Sequence, residues 1–433
     1  MTGAGRAAQA PPAAVGRTVA AAALSTVLAS LPVFLLGGLA VLVRGELGFG
    51  ELQLGLAVST FFAVAAVTAV PAGRVAHRLG ARSTTILGAF LSAAALVAMA
   101  LAGSYAVLLV ALSVAGVANS LAQIGSNQAL ARAVPVARQG LAFGVKQSAV
   151  PAATLIAGLA VPAVGLTLGW RAAFLGTALL ALVYLPLVPR AARPDAAPSP
   201  RADRTGDTAV RVLALLSLAG ALASGAANAL GAFLVESAVS VGLSTGSAGL
   251  LLAGGSALGV IVRLLAGWRA DAREGGHLAV VIAMIGTGAV GMALLATTSV
   301  PMLVPGTALA FGLGWSWPGL LTFAVVRLNP AAPAIATSIT QTGIFAGGAT
   351  GPLLFGLLVE AFSYRVAWSV AALALLGSAL LMTVARRVLR QGLAQQPPVA
   401  PFRQQSSDMG TAGLALDDVA GLLDGLEGDE RRS

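Results

Sequence analysis

The stretch GRVAHRLGAR, residues 73–82, joins two apolar runs, each long enough to cross a lipid bilayer. Its basic residues lie between the runs, as they do where a chain turns at a membrane surface. A related stretch, GWRADAREGG, occupies residues 267–276, so that Gly267 follows Gly73 by 194 residues. The chain is therefore expected to contain two copies of one membrane-spanning unit.

The same offset relates other polar or aromatic-basic positions of the chain. It maps three further pairs onto each other: Ser30 and Ser224, Gln147 and Gln341, and Arg171 and Arg365. A single pair would be weak, but several pairs at one offset predict two pseudo-symmetric six-helix halves in parallel repeat.

Composition and hydropathy place these halves in a membrane. Of the 433 residues, 57% are hydrophobic and 10% are charged, which is more apolar sequence than a soluble core requires. The pattern predicts an all-α integral membrane protein with twelve transmembrane helices near 18–43, 52–73, 83–102, 106–128, 141–163, 171–189, 211–235, 246–267, 278–298, 301–325, 335–359 and 367–385.

Five segments follow from this assignment. The N-terminal half is 18–189 and the C-terminal half is 211–386, and a proline- and arginine-rich loop at 190–210 joins them. A polar tail, 1–17, precedes them, and a tail predicted to be disordered, 387–433, follows.

The arginines predict the orientation of the chain. With both termini in the cytoplasm, the loops of the other side contain only Arg44, Arg171 and Arg365. This asymmetry fits the positive-inside rule and favours a multi-pass protein of the cell (inner) membrane. The basic excess thus follows topology, and no nucleic-acid partner is predicted.

Several classes of chemistry have no support in the sequence. There is no cysteine, which excludes disulfides and thiol chemistry. The histidines, His77 and His277, both lie in predicted loops, so neither a catalytic triad nor a histidine metal site is expected within the membrane. No phosphate-binding G-x-x-x-x-G-K-[ST] loop is present. We predict neither an enzyme nor a resident cofactor or metal.

The twelve spans, the central loop and residues 73–82 together resemble the major facilitator superfamily. The signature loop of that family is G-x-x-x-D-R-x-G-R-R. Gly73, Arg78, Gly80 and Arg82 match it, and His77 stands where the family has aspartate. The resemblance implies a monomeric twelve-helix secondary transporter in which this segment latches one conformation.

The second copy of the signature contributes further gating candidates. Asp271 retains the acidic position, and Arg263, Gly267 and Asp271 fall on one helix face at successive four-residue steps. Arg263 is therefore interpreted as part of the gating segment and not of the cavity.

In the resembled family, the first, fourth, seventh and tenth spans line a central cavity. Each of these spans carries polar or aromatic residues here, and they form the candidate substrate site together with three residues of the fifth and eleventh spans: Ser30, Asn119, Gln123, Asn127, Ser224, Asn228, Trp315 and Trp317, with Lys146, Gln147 and Gln341. The serines serve equally well in helix packing, whereas buried amides are more costly and favour a functional role. Pro318 is expected to mark a broken helix.

Lys146 is the only lysine of the chain and lies inside the fifth span. It could be an anchor that extends to the membrane surface. Arginine serves that purpose everywhere else in this chain, however, so a role in ligand binding or coupling is favoured. No acidic residue lies in the middle of a span, which argues against an organic cation and favours an anion or a neutral solute.

The predicted function is a secondary active transporter that moves a small organic anion or neutral metabolite by alternating access, coupled to protons or another gradient. An alternative within transport is efflux of hydrophobic drugs, although Leu112 stands where the family's drug–proton antiporters often have arginine. An alternative of another class is a transport-inactive membrane sensor.

Overall fold

A computed structural model of the chain describes residues 12–135, 139–188, 210–271, 275–329 and 333–395. All regular structure within these ranges is helical. The α-helices are α1 (Pro12–Gly38), α2 (Ala40–Leu47), α3 (Glu51–Ala100), α4 (Tyr105–Ala133), α5 (Gln139–Gln147), α6 (Ala149–Ala160), α7 (Trp170–Tyr184), α8 (Val210–Ser240), α9 (Thr245–Asp271), α10 (His277–Ala296), α11 (Val300–Leu309), α12 (Trp317–Leu328), α13 (Pro333–Ala361) and α14 (Tyr364–Gln395).

Eleven helical stretches in the described residues are long and apolar enough to cross a membrane. One of them, α3, has 50 residues and contains a single non-helical residue, Gly80, with φ 79° and ψ 165°. A positive φ at this value is accessible to glycine at little cost, so the chain leaves one helix and enters the next within one residue. The long stretch is thus two spans, and the predicted all-α fold with twelve spans is confirmed.

Residues 73–82 form less of a loop than the sequence suggested. The helix continues through Gly73 and His77 and restarts at Ala81. Only Gly80 departs from helical geometry, because nothing else in the segment prevents the backbone from continuing its hydrogen bonds.

Two other spans are broken inside the bundle. In the fifth span, α5 ends at Gln147, α6 begins at Ala149, and a π-helical turn (Val161–Gly165) completes the span. In the tenth, α11 runs into a π-helical turn (Ala310–Gly314) and α12 begins at Trp317. Pro318 occupies the second position of α12. Backbone N–H groups in the first turn of a helix have no intrahelical acceptor, so proline, which has no N–H, costs no hydrogen bond there. The helix break predicted at this proline is confirmed.

The described helix ends fall on two faces of the bundle. The N-terminal face carries Pro12 and the kink at Gly80. The opposite face carries the connections at 48–50, 166–169 and 362–363, whose neighbours contact one another. Within the described part of the chain, residues 12–389 form one compact unit.

Helices α1 and α8 form the centre of the bundle. From Val27 to Ala40 every residue of the first span is buried, and α8 is buried from Ala223 to Ala238. Along these stretches both helices are buried on all sides and mostly apolar, as expected for helices surrounded by protein. The two halves meet along these helices, along a contact between α3 and α13, and along a contact between α6 and α9.

Small residues let the backbones approach closely. A Cβ atom at Gly347 would lie 1.9 Å from the carbonyl oxygen of Ala221, and one at Gly351 would lie 2.2 Å from Cα of Gly225. This glycine face of α13 packs on α8 within the C-terminal half. In a bilayer, where lipid is as apolar as leucine, such close packing replaces the hydrophobic effect as the source of helix association.

The predicted limits of the halves stay a prediction. The central connection from 189 to 209 lies outside the described residues, as do residues 1–11 of the N-terminal tail and residues 396–433 of the C-terminal tail.

Candidate functional site

Lys146 and two amide side chains of α4 form a polar cluster within the N-terminal half. The Lys146 ammonium donates to Oε1 of Gln123 at 2.6 Å and to Oδ1 of Asn127 at 2.5 Å. Only 2% of Lys146 is exposed, whereas Gln123 is half-buried and Asn127 is exposed. This placement differs from that of an anchoring lysine, whose ammonium lies in water.

The geometry of α4 explains why these amides meet the lysine. Asn119, Gln123 and Asn127 are four residues apart and therefore share one face of the helix. Asn119 is buried, and its Oδ1 has no hydrogen-bond partner among the described residues. Ser120, beside this stripe, points the other way and donates to the carbonyl oxygen of Ala65 in α3 at 2.5 Å. Gln123 and Asn127 of the stripe thus contact Lys146, whereas Ser120 packs against α3.

The Lys146 ammonium has neutral partners in the described part of the chain. Its two acceptors are amide oxygens, and none of the ion pairs found there includes Lys146. An ammonium carries three donor hydrogens, of which these contacts use two. A buried cation without a counter-charge is costly, so an anion placed beside Lys146 would supply both the missing acceptor and the missing charge.

Arg263 joins the two broken spans. Its Nη1 donates to the carbonyl oxygen of Gln147 at 2.6 Å, and its Nη2 donates to the carbonyl oxygen of Trp315. The Gln147 carbonyl is free for this contact because Pro151, four residues later, has no N–H to donate to it. The guanidinium therefore links the N-terminal half to the C-terminal half beside the lysine cluster.

The gating role that the sequence suggested for Arg263 stays a prediction; in the structure its side chain contacts the end of α5 and the break before α12. Its Nε is buried without a partner among the described residues. The signal available in the sequence was Pro151, whose spacing from Gln147 exposes a carbonyl inside a span.

Three aromatic side chains pack together beside the Arg263 contact to Trp315 and are called the aromatic wall: Phe34, Phe311 and Trp315. Trp315 packs edge-on against Phe34 of α1 with ring centroids 5.7 Å apart, and it contacts Phe311 at 5.3 Å. Gly231 of α8 leaves the room that these rings fill, since a Cβ atom there would lie 3.0 Å from the Trp315 ring. Trp317 is fully buried, and its indole N–H has no partner among the described residues.

Ser224 and Asn228 form a second polar pair on α8. The Asn228 amide donates to the Ser224 carbonyl at 2.9 Å and to the Ser224 hydroxyl at 3.2 Å. Both residues are buried, and a Cβ atom at Gly348 of α13 would lie 3.4 Å from the Asn228 amide nitrogen. Among the other candidates, Ser30 is buried in α1, and Gln341 is half-buried in α13. The hydrogen bonds of Ser224 and Asn228 do not connect this pair to the cluster of Lys146, Gln123 and Asn127.

The gating candidates lie near the N-terminal face. His77 and Arg78 are exposed, Gly73 is half-buried, and Gly80 forms the kink. Arg82 donates from Nε to the carbonyl oxygen of Val188 at 3.4 Å, which ties the restart of α3 to the end of the sixth span.

In the second copy of the signature, Gly267 is half-buried in α9, with open space where a Cβ atom would stand. Asp271 ends this helix, and its side chain lies outside the described residues.

The opposite face carries charged contacts that the sequence analysis did not single out. Arg44 pairs with Glu51 and Glu236, and Glu46 accepts hydrogen bonds from Arg171 and Trp170. Hydrogen bonds from Arg171 and Trp170 lower the pKa of Glu46 below its usual range. The available signal was that Arg44 and Arg171 are two of the few arginines predicted on this side.

Comparison with known proteins agrees with this architecture. The "Chloramphenicol resistance protein" of Streptomyces lividans is 31% identical over 340 residues, which covers 74% of this chain and 83% of that protein. The crystal structure of a bacterial homolog to the human lysosomal transporter Spinster, in an inward-facing and occupied conformation, matches with a TM-score of 0.70 and 18% identity over 88% of this chain and 99% of that one. The inward-facing and unoccupied structure matches with a TM-score of 0.62 and 16% identity, over 87% and 96% of the two chains.

The family profile described as the Major Facilitator Superfamily matches residues 22–271 and 216–414, and so covers both halves. The resemblance drawn from residues 73–82 is thereby confirmed, and the family points to a transporter of small solutes rather than to an enzyme. The chain belongs to the Major Facilitator Superfamily of secondary transporters.

Proposed function

We propose that this chain transports a small organic anion by alternating access, with Lys146 as the group that holds the negative charge. The observation that carries the proposal is the buried ammonium of Lys146, whose described partners are the neutral amides of Gln123 and Asn127. A carboxylate of the solute would complete the third hydrogen bond and neutralise the charge. Asn119 Oδ1 offers an acceptor one turn away for a hydroxyl or N–H of the same solute.

The proposed pathway opens and closes between the two halves, since the cluster lies in the N-terminal half and Arg263 of the C-terminal half contacts the Gln147 carbonyl next to Lys146 in the chain. A neutral metabolite would instead bind through hydrogen bonds to the amides of Gln123 and Asn127 alone. From the arginine distribution we further propose that both termini lie in the cytoplasm of a cell whose inner membrane holds the protein, and that it works as a monomer.

A second candidate function is efflux of hydrophobic compounds. The relative named for chloramphenicol resistance favours it, as does the aromatic wall of Phe34, Phe311 and Trp315. In that case the solute would bind chiefly to the rings, and Lys146 would contribute little to its affinity.

Ligand-dependent thermal unfolding in lipid nanodiscs separates these functions. The probes are a panel of small carboxylates and, for the second candidate, chloramphenicol. A ligand that binds the folded state raises its stability by RT ln(1 + [L]/Kd), so a substrate shows a concentration-dependent rise in the unfolding temperature.

The deciding variant is Lys146→Met, which keeps an unbranched side chain of similar bulk and removes the ammonium group. An ion pair at about 4 Å with an effective dielectric constant of about 20 is worth about 4 kcal/mol, so we expect carboxylate binding to weaken by up to about 1,000-fold. Arg74→Met removes one exposed positive charge from the same half and is the matched control; it should bind as the wild type does. Equal carboxylate affinity in Lys146→Met and wild type would refute the anion proposal, and stabilisation by chloramphenicol alone would favour efflux.

A further inference from the structure

A polar cluster closes the opposite face around Arg44, in the last turn of α2. All three guanidinium nitrogens are used: Nε donates to the Phe49 carbonyl at 2.8 Å, Nη2 lies 3.1 Å from a Glu51 oxygen, and Nη1 pairs with Glu236. The backbone at Gly48 has a φ of 67°, in the left-handed region that favours glycine, and this turn brings the Phe49 carbonyl back to Arg44. The guanidinium is therefore held in one orientation.

The acceptors of Arg44 belong to different halves of the protein. Phe49 and Glu51 lie in the N-terminal half together with Arg44, whereas Glu236 lies near the end of α8 in the C-terminal half. The pair between Arg44 and Glu236 is therefore the member of this cluster that crosses between the halves.

Glu236 is the buried carboxylate of the cluster. It is 8% exposed, compared with 29% for the Glu51 side chain. Its second contact is the Tyr364 hydroxyl, at 3.4 Å. Among the described residues, Arg44 is the cation that pairs with either carboxylate, so one guanidinium supports two acidic groups. Burial makes the charged form of a carboxylate unfavourable, and a cation shared with a second carboxylate compensates that charge only in part. Of the two carboxylates, Glu236 is therefore the one that is more easily protonated.

The other charged groups on the helices around Glu236, which are α2, α13 and α14, have their own partners or are exposed. Glu46 of α2 pairs with Arg171. Glu360 of α13 accepts from the Leu52 backbone N–H at 3.1 Å, at the positive end of α3. Arg365 of α14 is exposed. No second cation in the described residues competes with Arg44 for Glu236.

We propose that Glu236 binds the proton that is coupled to transport, and that its protonation releases the opposite face. Adding the proton converts the carboxylate to a neutral carboxyl group without breaking any other bond. Arg44 then keeps its ion pair with Glu51, which lies in its own half, and only the link to the C-terminal half is lost. This inference rests on the proposed function, because it names the proton as the ion coupled to that transport and Glu236 as the residue that binds it.

The test measures opening of the opposite face as a function of pH, without any solute. The chain contains no cysteine, so Leu168→Cys and Phe362→Cys introduce a unique pair of spin-label sites. Both residues are exposed on this face, one in each half. Pulsed electron–electron double resonance in nanodiscs, from about pH 8 to about pH 5, gives the ratio of long to short distances.

In the wild type we expect this ratio to rise as the pH falls, by at most about tenfold per pH unit for a single proton. Glu236→Gln, which imitates the protonated state, should show the long distance throughout and lose the pH dependence. Glu51→Gln is the matched control, because it removes the other acidic partner of Arg44, and it should keep the pH dependence. A wild-type response that persists in Glu236→Gln, or that disappears only in Glu51→Gln, overturns the proposal.

A second variant covers the case in which Glu236→Gln does not fold, and the absence of solute separates this test from that of the anion proposal. If Glu236→Gln does not fold, Glu236→Asp retains a titratable group at a different distance from Arg44 and must move the pH midpoint; an unchanged midpoint overturns the proposal. Because no solute is present, failure here leaves anion-dependent stabilisation through Lys146 intact, whereas failure of the anion proposal removes that stabilisation and leaves the pH response unchanged.

Discussion

The close contact between α3 and α13 at the opposite face predicts how a single added methyl group changes the balance between closed and open molecules. A Cβ atom at Gly55 would lie 2.3 Å from the carbonyl oxygen of Pro352 and 3.2 Å from Cα of Leu353. On the same interface, the Ser59 hydroxyl accepts the Leu353 backbone N–H at 3.0 Å. We expect Gly55→Ala to push the two halves apart at this face.

The size of the effect follows from the distance. Restoring an ordinary contact requires the backbones to separate by about 1 Å, and overpacking of this kind costs about 1–3 kcal/mol. A state in which the opposite face is open lacks this contact and escapes the penalty. The ratio of open to closed molecules should therefore rise by about 5- to 150-fold.

The same spin-label pair at Leu168 and Phe362 measures this ratio at fixed pH. Gly347→Ala is the matched control, because its Cβ atom would lie 1.9 Å from the Ala221 carbonyl oxygen within one half. That clash is present whichever face is open, so Gly347→Ala should lower the unfolding temperature and leave the distances unchanged. If Gly55→Ala behaves like Gly347→Ala, with lower stability and no longer distances, the α3–α13 contact is not one that transport breaks.

Two further predictions concern single side chains. Replacing Arg263 with Lys keeps a positive charge but loses the planar fork that serves the carbonyls of Gln147 and Trp315; we expect a loss of about 2 kcal/mol in thermal or denaturant unfolding, and an unchanged midpoint would show that the bridge contributes nothing. For Glu46, whose pKa is lowered by Arg171, the stabilisation is present above the unfolded-state pKa and disappears as the pH falls through the folded-state pKa. Glu46→Gln should therefore flatten the acid side of the pH–stability profile slightly, since the pair is exposed, and an acid limb identical to that of the wild type would contradict this.

The fold could be predicted from the sequence because a bilayer restricts the choices. A chain segment in hydrocarbon must satisfy its own backbone hydrogen bonds, so each long apolar run has to be a helix. The repeat between Gly73 and Gly267 then identifies two halves, and residues 73–82 identify the family. The break at Pro318 was also predictable, because proline lacks the N–H that a helix interior requires.

The candidate substrate site was only partly predictable. The stripe of Asn119, Gln123 and Asn127 is a matter of helical spacing, and Lys146 stands out by being the only lysine. That the lysine meets this stripe is a contact between two different spans, and no spacing along the chain encodes it.

The sequence by itself determined which segments lie in the membrane, that they form two related halves, and which side chains are costly enough there to require a reason. Only the tertiary structure decided which of these side chains have partners: Lys146 with neutral amides, Arg263 with two carbonyls freed by helix breaks, and Arg44 between carboxylates of two halves. The physical reason is that burial is a local property of each helix, whereas charge compensation depends on what the neighbouring helix presents at the same depth.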